Sequence, residues 1–246
     1  MIDVNFDFTS DTPGYWDGYW DRNDGIGGCG SRDPDAYSRT LQAYQIELYS
    51  RRLPNGENMT LSAGDEPGVM TWNGIRYSSD SILASFRYKN NREQIGEVYE
   101  RLDNYKTYFE DFTRRSYTIA GEIIFPRHWH SINQERGTSR YIRDRWDLTL
   151  ECIRRYYRGE VSPLHDTLCK DKGFFDLFVD FRGYINYFFL NDCVSSDYDS
   201  VNIWTENFDL GEDALPVSID EYFRFIDNEM DFLENRKARI HKYVTG

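Results

Sequence analysis

Between Gly121 and Thr138 the chain reads GEIIFPRHWHSINQERGT, and its chemistry-bearing side chains crowd into positions 127–136. Arg127, Ser131, Asn133 and Arg136 are all hydrogen-bond donors, and the two arginines present the planar fork that suits phosphate and carboxylate. A histidine here, His128 or His130, could pass protons as general acid or base. An anion seated among these groups, with a histidine beside it, is the chemistry this pattern points to: hydrolysis or transfer on a phosphorylated small molecule or nucleotide. The competing reading is two exposed loop histidines and an arginine paired to a surface acid. His128-Trp-His130 is no metal motif by itself, since a third ligand would have to come from afar, so no metal is expected.

The elements around this segment have to place it. YTIAGEIIF, Tyr117 to Phe125, reads as a strand ended by Pro126. Ser131 then stands where it could cap a short helix, SINQER, stopped by Gly137. The free N–H groups of a helix start favour anions. A helix over about 140–157 follows. On a helical wheel Ile142, Trp146, Leu150, Ile153 and Tyr157 share one arc, while Arg140, Arg143, Asp144, Asp147, Glu151, Arg154 and Arg155 take the other. The pairs Arg140–Asp144, Arg143–Asp147 and Glu151–Arg155 are helical neighbours four apart and account for most of these arginines as a solvated face. Arg145 falls in the apolar arc, near Leu148 and Cys152. It must snorkel, meet a buried acid, or face a ligand cleft.

All of these arginines belong to one island. Residues 114–158 contain ten Arg, no Lys and five acids, whereas the whole chain carries a net charge of −13. An acidic protein is a poor partner for duplex nucleic acid or an anionic membrane, though neither excludes a local anion site. Apolar residues are 39% and aromatics 17%, so Tyr and Phe must carry much of the core. The four scattered cysteines show no C-x-x-C spacing, and MIDVNFDFTSD lacks the features of a secretory leader. A cytoplasmic location with reduced thiols and no secretory leader is therefore expected.

The remaining chain suggests a predominantly helical α+β fold with a small antiparallel sheet. Residues 1–33 read as an irregular acidic and aromatic arm, and 34–246 as one domain. A helix is expected over about 34–51, a hairpin at VMTW-NG-IRYS, and a short helix capped by Ser79 or Asp80 through Leu83 and Phe86. Further helices are expected over about 92–112, 163–169 and 174–190. Val201–Trp204 reads as a strand, and Ser218 with Glu221 as the capping box of a last helix to about Tyr243. Asp21 to Gly25 misses the calcium-loop spacing, and Gly25 to Gly30 follows no apolar strand, so it matches no phosphate loop. Tyr15, Trp16, Tyr19 and Trp20, interleaved with Asp11, Asp17 and Asp21, could stack sugars, although anchoring the arm to the core or to a second subunit fits better. Asp176 and Asp180 lie one turn apart and read as solvent-facing.

The stretches YTIAGEIIFPRHWHSINQERG, IRDRWDLTLECIRRYYRGE and GFFDLFVDFRGYINYFFLNDCV, with RDPDAYSRTLQAYQIELYSRRLPNG and YSSDSI before them, resemble an uncharacterised family of bacterial proteins of about this length. The resemblance implies one full-length cytoplasmic domain and carries no activity or cofactor with it. Three functions remain open. One is an anion-binding enzyme or receptor using Arg127, Arg136 and Arg145, oriented by Ser131 and Asn133, with His128 or His130 moving protons. Another is an acidic interaction protein, including a DNA mimic or inhibitor, meeting a protein partner or a second copy through the arm. The last is a carbohydrate surface on the N-terminal aromatics.

Overall fold

A computed structural model describes residues 1–20, 32–83, 100–136, 142, 144–206, 208, 210 and 216–246. Nine α-helices and a four-stranded antiparallel sheet form a predominantly helical α+β domain among these residues. The helices are α1 Pro34–Tyr37, α2 Arg39–Tyr49, α3 Tyr105–Ser116, α4 Ile132–Glu135, α5 Trp146–Tyr157, α6 His165–Lys170, α7 Lys172–Asp176, α8 Phe181–Tyr187 and α9 Ile219–Thr245. The strands are β1 Ser62–Ala63, β2 Val69–Trp72, β3 Ile75–Ser81 and β4 Glu122–Pro126.

The sheet is a meander in chain order. Asn73 and Gly74 both take positive φ, 49° and 76°, as a two-residue hairpin turn requires, and they set the β2–β3 register. β3 then runs on through Ser79 and Asp80, which pair with Ile124 and Ile123. The short helix expected there does not form over these residues, because strand pairing with β4 claims their backbone; Phe86 lies outside the described residues. β4 starts later than expected. Ile119–Gly121 form a 3₁₀ turn, in which a Cβ on Gly121 would stand 1.7 Å from the Ser116 carbonyl. β4 is an edge strand, yet it is buried throughout. Fully buried Arg236 of α9 covers its start, donating to the carbonyls of Ala120 (2.6 Å) and Glu122 (3.0 Å) and protecting an edge that would otherwise be free to pair.

Several expected helices are cut. Helix 34–51 divides at Ser38, whose extended backbone ends α1 and whose Oγ accepts the Leu41 amide to begin α2. The 174–190 stretch divides at Val179 (φ 70°) and Asp180, which caps α8 through the Gly183 amide at 2.7 Å. This folds its rings together, with Phe178–Tyr184 centroids at 5.3 Å and Tyr184–Phe188 at 4.9 Å. Of the expected 92–112 helix, residues 92–99 lie outside the described residues, and α3 runs four residues beyond its expected end. Val201 makes a single bridge to Val194 rather than a strand. Ser218 caps α9 by accepting the Glu221 amide, but the Glu221 carboxylate takes the amides of Glu206 and Val217 instead of completing a capping box.

Residues 1–20 form two 3₁₀ turns laid against the body. Phe8, Tyr15 and Tyr19 are buried, Trp16 stacks under Arg114, and Trp20 donates to Glu110 at 2.7 Å. These rings are engaged in packing, not displayed as a sugar platform. No helix among the described residues is long and apolar enough to cross a membrane.

Candidate functional site

The Arg127 amide donates to the Arg76 carbonyl at 2.7 Å, one last rung after β4, and the chain then turns sharply. The Ser131 amide returns to the His128 carbonyl at 3.2 Å, leaving Trp129 and His130 at the tip. His130 takes φ 63°, a left-handed conformation that a non-glycine residue adopts at a cost of about 1–2 kcal/mol. The Gln134 side chain holds it there by accepting the His130 amide at 3.0 Å.

Both imidazoles are backed by buried carboxylates. His128 Nε2 lies 2.7 Å from Asp171 Oδ1, and His130 Nδ1 makes a very short contact with Glu135. The rings are 40% and 50% exposed, the two carboxylates only 4% and 5%, and Trp129 between them is 81% exposed. Asp171 is positioned by helix ends: its amide closes α6 on Thr167, and its carbonyl accepts the Phe174 and Phe175 amides that open α7.

The two histidines are chemically different. Nδ1 of His128 faces the Trp129 carbonyl at 3.0 Å while Nε2 faces Asp171, so both nitrogens meet acceptors. Only an imidazolium donates from both. Burial pulls the His128 pKa down, but the hydrogen bonds and charge of Asp171 outweigh it and the net direction is up. Asp171 is itself raised by burial, against the opposing pull of His128, so the pair as a unit holds its proton firmly. Beneath it, burial and then the charge of Asp171 push the Tyr77 phenol up to about 12. His130 is arranged the other way. Its Nδ1 is fixed on Glu135, and Nε2 has no partner among the described residues. A carboxylate on Nδ1 selects the tautomer whose Nε2 lone pair points away.

The structure scatters the other expected site residues. Arg127 is at the surface and shares Glu66 with Arg76, at 3.1 Å and 2.6 Å, two guanidiniums on one carboxylate. Ser131 is buried and donates to Asn133, whose Nδ2 reaches Ser78 on β3 at 3.1 Å; the two tie α4 to the sheet. Arg136 is almost wholly buried. It donates to Asp80 (2.7 Å), Asp144 (3.1 Å), the Ser81 carbonyl and Thr149. Burial pushes Asp80 up to about 6 even against the charge of Arg136, so this region is rich in acids around one guanidinium.

Arg145 corrects the wheel. The helix starts at Trp146, and Arg145 precedes it in extended conformation with a fully buried side chain. Its guanidinium grips Asp147 with two donors and Thr205 with a third at 2.8 Å. Asp147, expected on the solvated face, is fully buried and also accepts the Leu148 and Trp204 amides. The Glu151–Arg155 pair is present at 2.8 Å, and Arg154 joins it at 2.7 Å. Residues 140 and 143 lie outside the described residues, as do Asp21–Gly25 and Gly25–Gly30. Sequence reasoning gave no role to Asp171, forty-three positions from His128, because nothing local signals that contact. Glu135 carried a faint signal, an acid five positions after His130 at the end of the short helix that follows the loop. Among the described residues no group of three or more His, Cys, Asp or Glu side chains is arranged to hold a metal ion.

The chain belongs to a family of unknown function, DUF6994, matched over residues 2–240. No curated protein and no solved structure matches it.

Proposed function

We propose, taking the site as the guide since the family's function is unknown, that the loop Arg127–Ser131 binds an anionic small molecule and that His130 moves a proton on it, as in a hydrolase or transferase. The observation that carries this reading is the pair of solvent-facing imidazoles, each anchored by a buried carboxylate, on either side of an exposed tryptophan. The strained backbone at His130 agrees with it, since such conformations concentrate where geometry serves chemistry. His128 is positively charged when protonated, a state that Asp171 favours while offsetting part of its charge. Arg127 and Arg76 add two more against the single charge of Glu66. Trp129 offers a flat face to a planar group such as a nucleobase. His130 Nε2 takes the proton of an attacking hydroxyl or water and returns it to the leaving group. Arg136 and Arg145 support the frame and do not touch the ligand.

The histidine Cε1–H resonances test this directly, with inorganic phosphate and a nucleoside monophosphate as probes. Saturable shifts of His128 and His130, weakened about tenfold by Arg127→Ala as expected for one charge-assisted hydrogen bond, support the reading. Unmoved imidazole resonances with both probes would remove it. Binding that survives in His130→Gln, without any turnover in wild type, would leave a receptor in place of an enzyme.

A further inference from the structure

A second polar centre lies under α1. Asp35, in the first turn of that helix, accepts the Ser81 amide on Oδ2 at 3.1 Å. Glu122 opens β4 opposite Ser81 and is fully buried. Its Oε2 accepts the Ser79 hydroxyl at 2.7 Å, and Ser79 in turn accepts from Gln45 Nε2 at 2.7 Å. The two carboxyls are gathered at Ser81, whose amide bonds Asp35 and whose β4 partner is Glu122, close enough for each to bear on the other's titration. Their other oxygens, Asp35 Oδ1 and Glu122 Oε1, are buried and meet no donor among the described residues. Ionised carboxylates only accept, so two of them cannot bond to one another; one proton turns both orphaned oxygens into a single O–H···O bond.

The surroundings agree that a proton, not a cation, fills this role. Asp33 stands at the N-cap of α1 and accepts the Tyr117 hydroxyl at 3.3 Å. Asp80 lies near the end of β3, and Tyr49 of α2 is within reach of the charge of Glu122. The nearby cations are occupied. Arg136 is held by Asp80 and Asp144, and Arg236 of α9 is directed at backbone carbonyls and the Tyr49 hydroxyl. Burial first, then the charge of Asp33 on Asp35 and of Asp35 on Glu122, drives both carboxyls well above their ordinary range.

α1 has only four residues and cannot hold itself in place. Gly68, at φ 70°, lets the backbone before β2 press against it: a Cβ there would stand 2.4 Å from the Asp35 carbonyl. The polar fastening to β3 and β4 runs through Asp35. We propose that Asp35 and Glu122 share one proton, and that this proton is the latch fastening α1 to the sheet, released as the medium becomes alkaline. The sign follows from linkage. For groups raised in the folded state, the stabilisation is complete below the ordinary carboxylate range and is lost as pH rises through the pair's own titration.

Amide hydrogen exchange of the full chain at Ser81, Ala36 and Tyr37, followed across a pH series, tests the latch. After correction for base-catalysed exchange, wild type should open more with rising pH, by up to about tenfold per pH unit for one linked proton. Glu122→Gln, whose amide donates at every pH, should remove that dependence; Asp35→Asn should do the same if Glu122→Gln fails to fold. A protonated-carboxyl stretch in the infrared spectrum of wild type, persisting above the range in which Asp80 titrates, is the mutation-free signature. Flat opening in wild type, a pH dependence retained in both variants, or no such band would overturn the proposal.

Discussion

At the scale of single residues, arginine's meaning depends on what it meets. Arg145 and Arg127 belong to one island in the sequence, yet one is fully buried against Asp147 and the other is a surface cation shared with Arg76 and Glu66. Arg145→Ala should cost about 3–5 kcal/mol in denaturant unfolding, because it strands the buried Asp147 carboxylate without its partner. Arg127→Ala should stay within about 0.5 kcal/mol in the same assay, as surface changes generally do, while weakening phosphate binding. The histidines divide in a similar way. Because the His128 pKa is raised by Asp171, the anchor's stabilisation is full below the ordinary histidine value and is lost as pH rises through the folded value. His128→Gln should therefore lower the unfolding midpoint at mildly acid pH and matter progressively less as pH rises. A constant difference across pH would mean that the ring only packs. The raised carboxyls Asp35, Asp80 and Glu122 drift in the same direction, so the difference between variant and wild type is the quantity to follow.

Elements were legible where local chemistry decides them. Asn73-Gly74 makes the β2–β3 turn wherever the rest of the chain goes, since both positions need positive φ. Ser218 starts α9 for an equally local reason. Boundaries decided by distant partners were not legible. Ser79 and Asp80 looked like helix caps and instead pair with Ile124 and Ile123, more than forty positions away. The helix expected to include Arg145 begins after it, because its guanidinium engages Asp147 and Thr205. Close approaches carry the same lesson. Gly183 lies against the Phe178 carbonyl, where a Cβ would stand at 2.0 Å. Gly183→Ala should displace α8 and loosen its packing, costing more than the roughly 1 kcal/mol by which alanine normally favours a helix interior. Thermal unfolding with near-ultraviolet circular dichroism, which reports the surrounding rings, would register it. An unchanged or raised melting temperature would show that α8 absorbs the shift.

Across the whole molecule, residues 1–20 are part of the packed body, with Phe8, Tyr15 and Tyr19 inside and Tyr19 hydrogen-bonded to Thr113 at 2.9 Å. Burying one such ring is worth about 1.5–3 kcal/mol, so deleting residues 1–20 should remove most of a typical domain's stability. Loss of cooperative unfolding is the expected result; a truncated chain that folds normally would return the segment to the role of a detachable arm. The sequence by itself determined the class of this protein: a predominantly helical α+β domain, the hairpin, the last helix, and the short loop that carries His128, Trp129 and His130 to the surface. Those follow from periodicity, turn chemistry and capping, which act over a few residues. Only the tertiary structure decided which charges are spent and which remain. Asp171 holds His128 and favours its cation, Glu135 leaves His130 with a free nitrogen, and Asp35 and Glu122 are both brought to Ser81. Protonation and ligand access depend on burial and on partners brought from far along the chain, and neither is written in the spacing of the residues themselves.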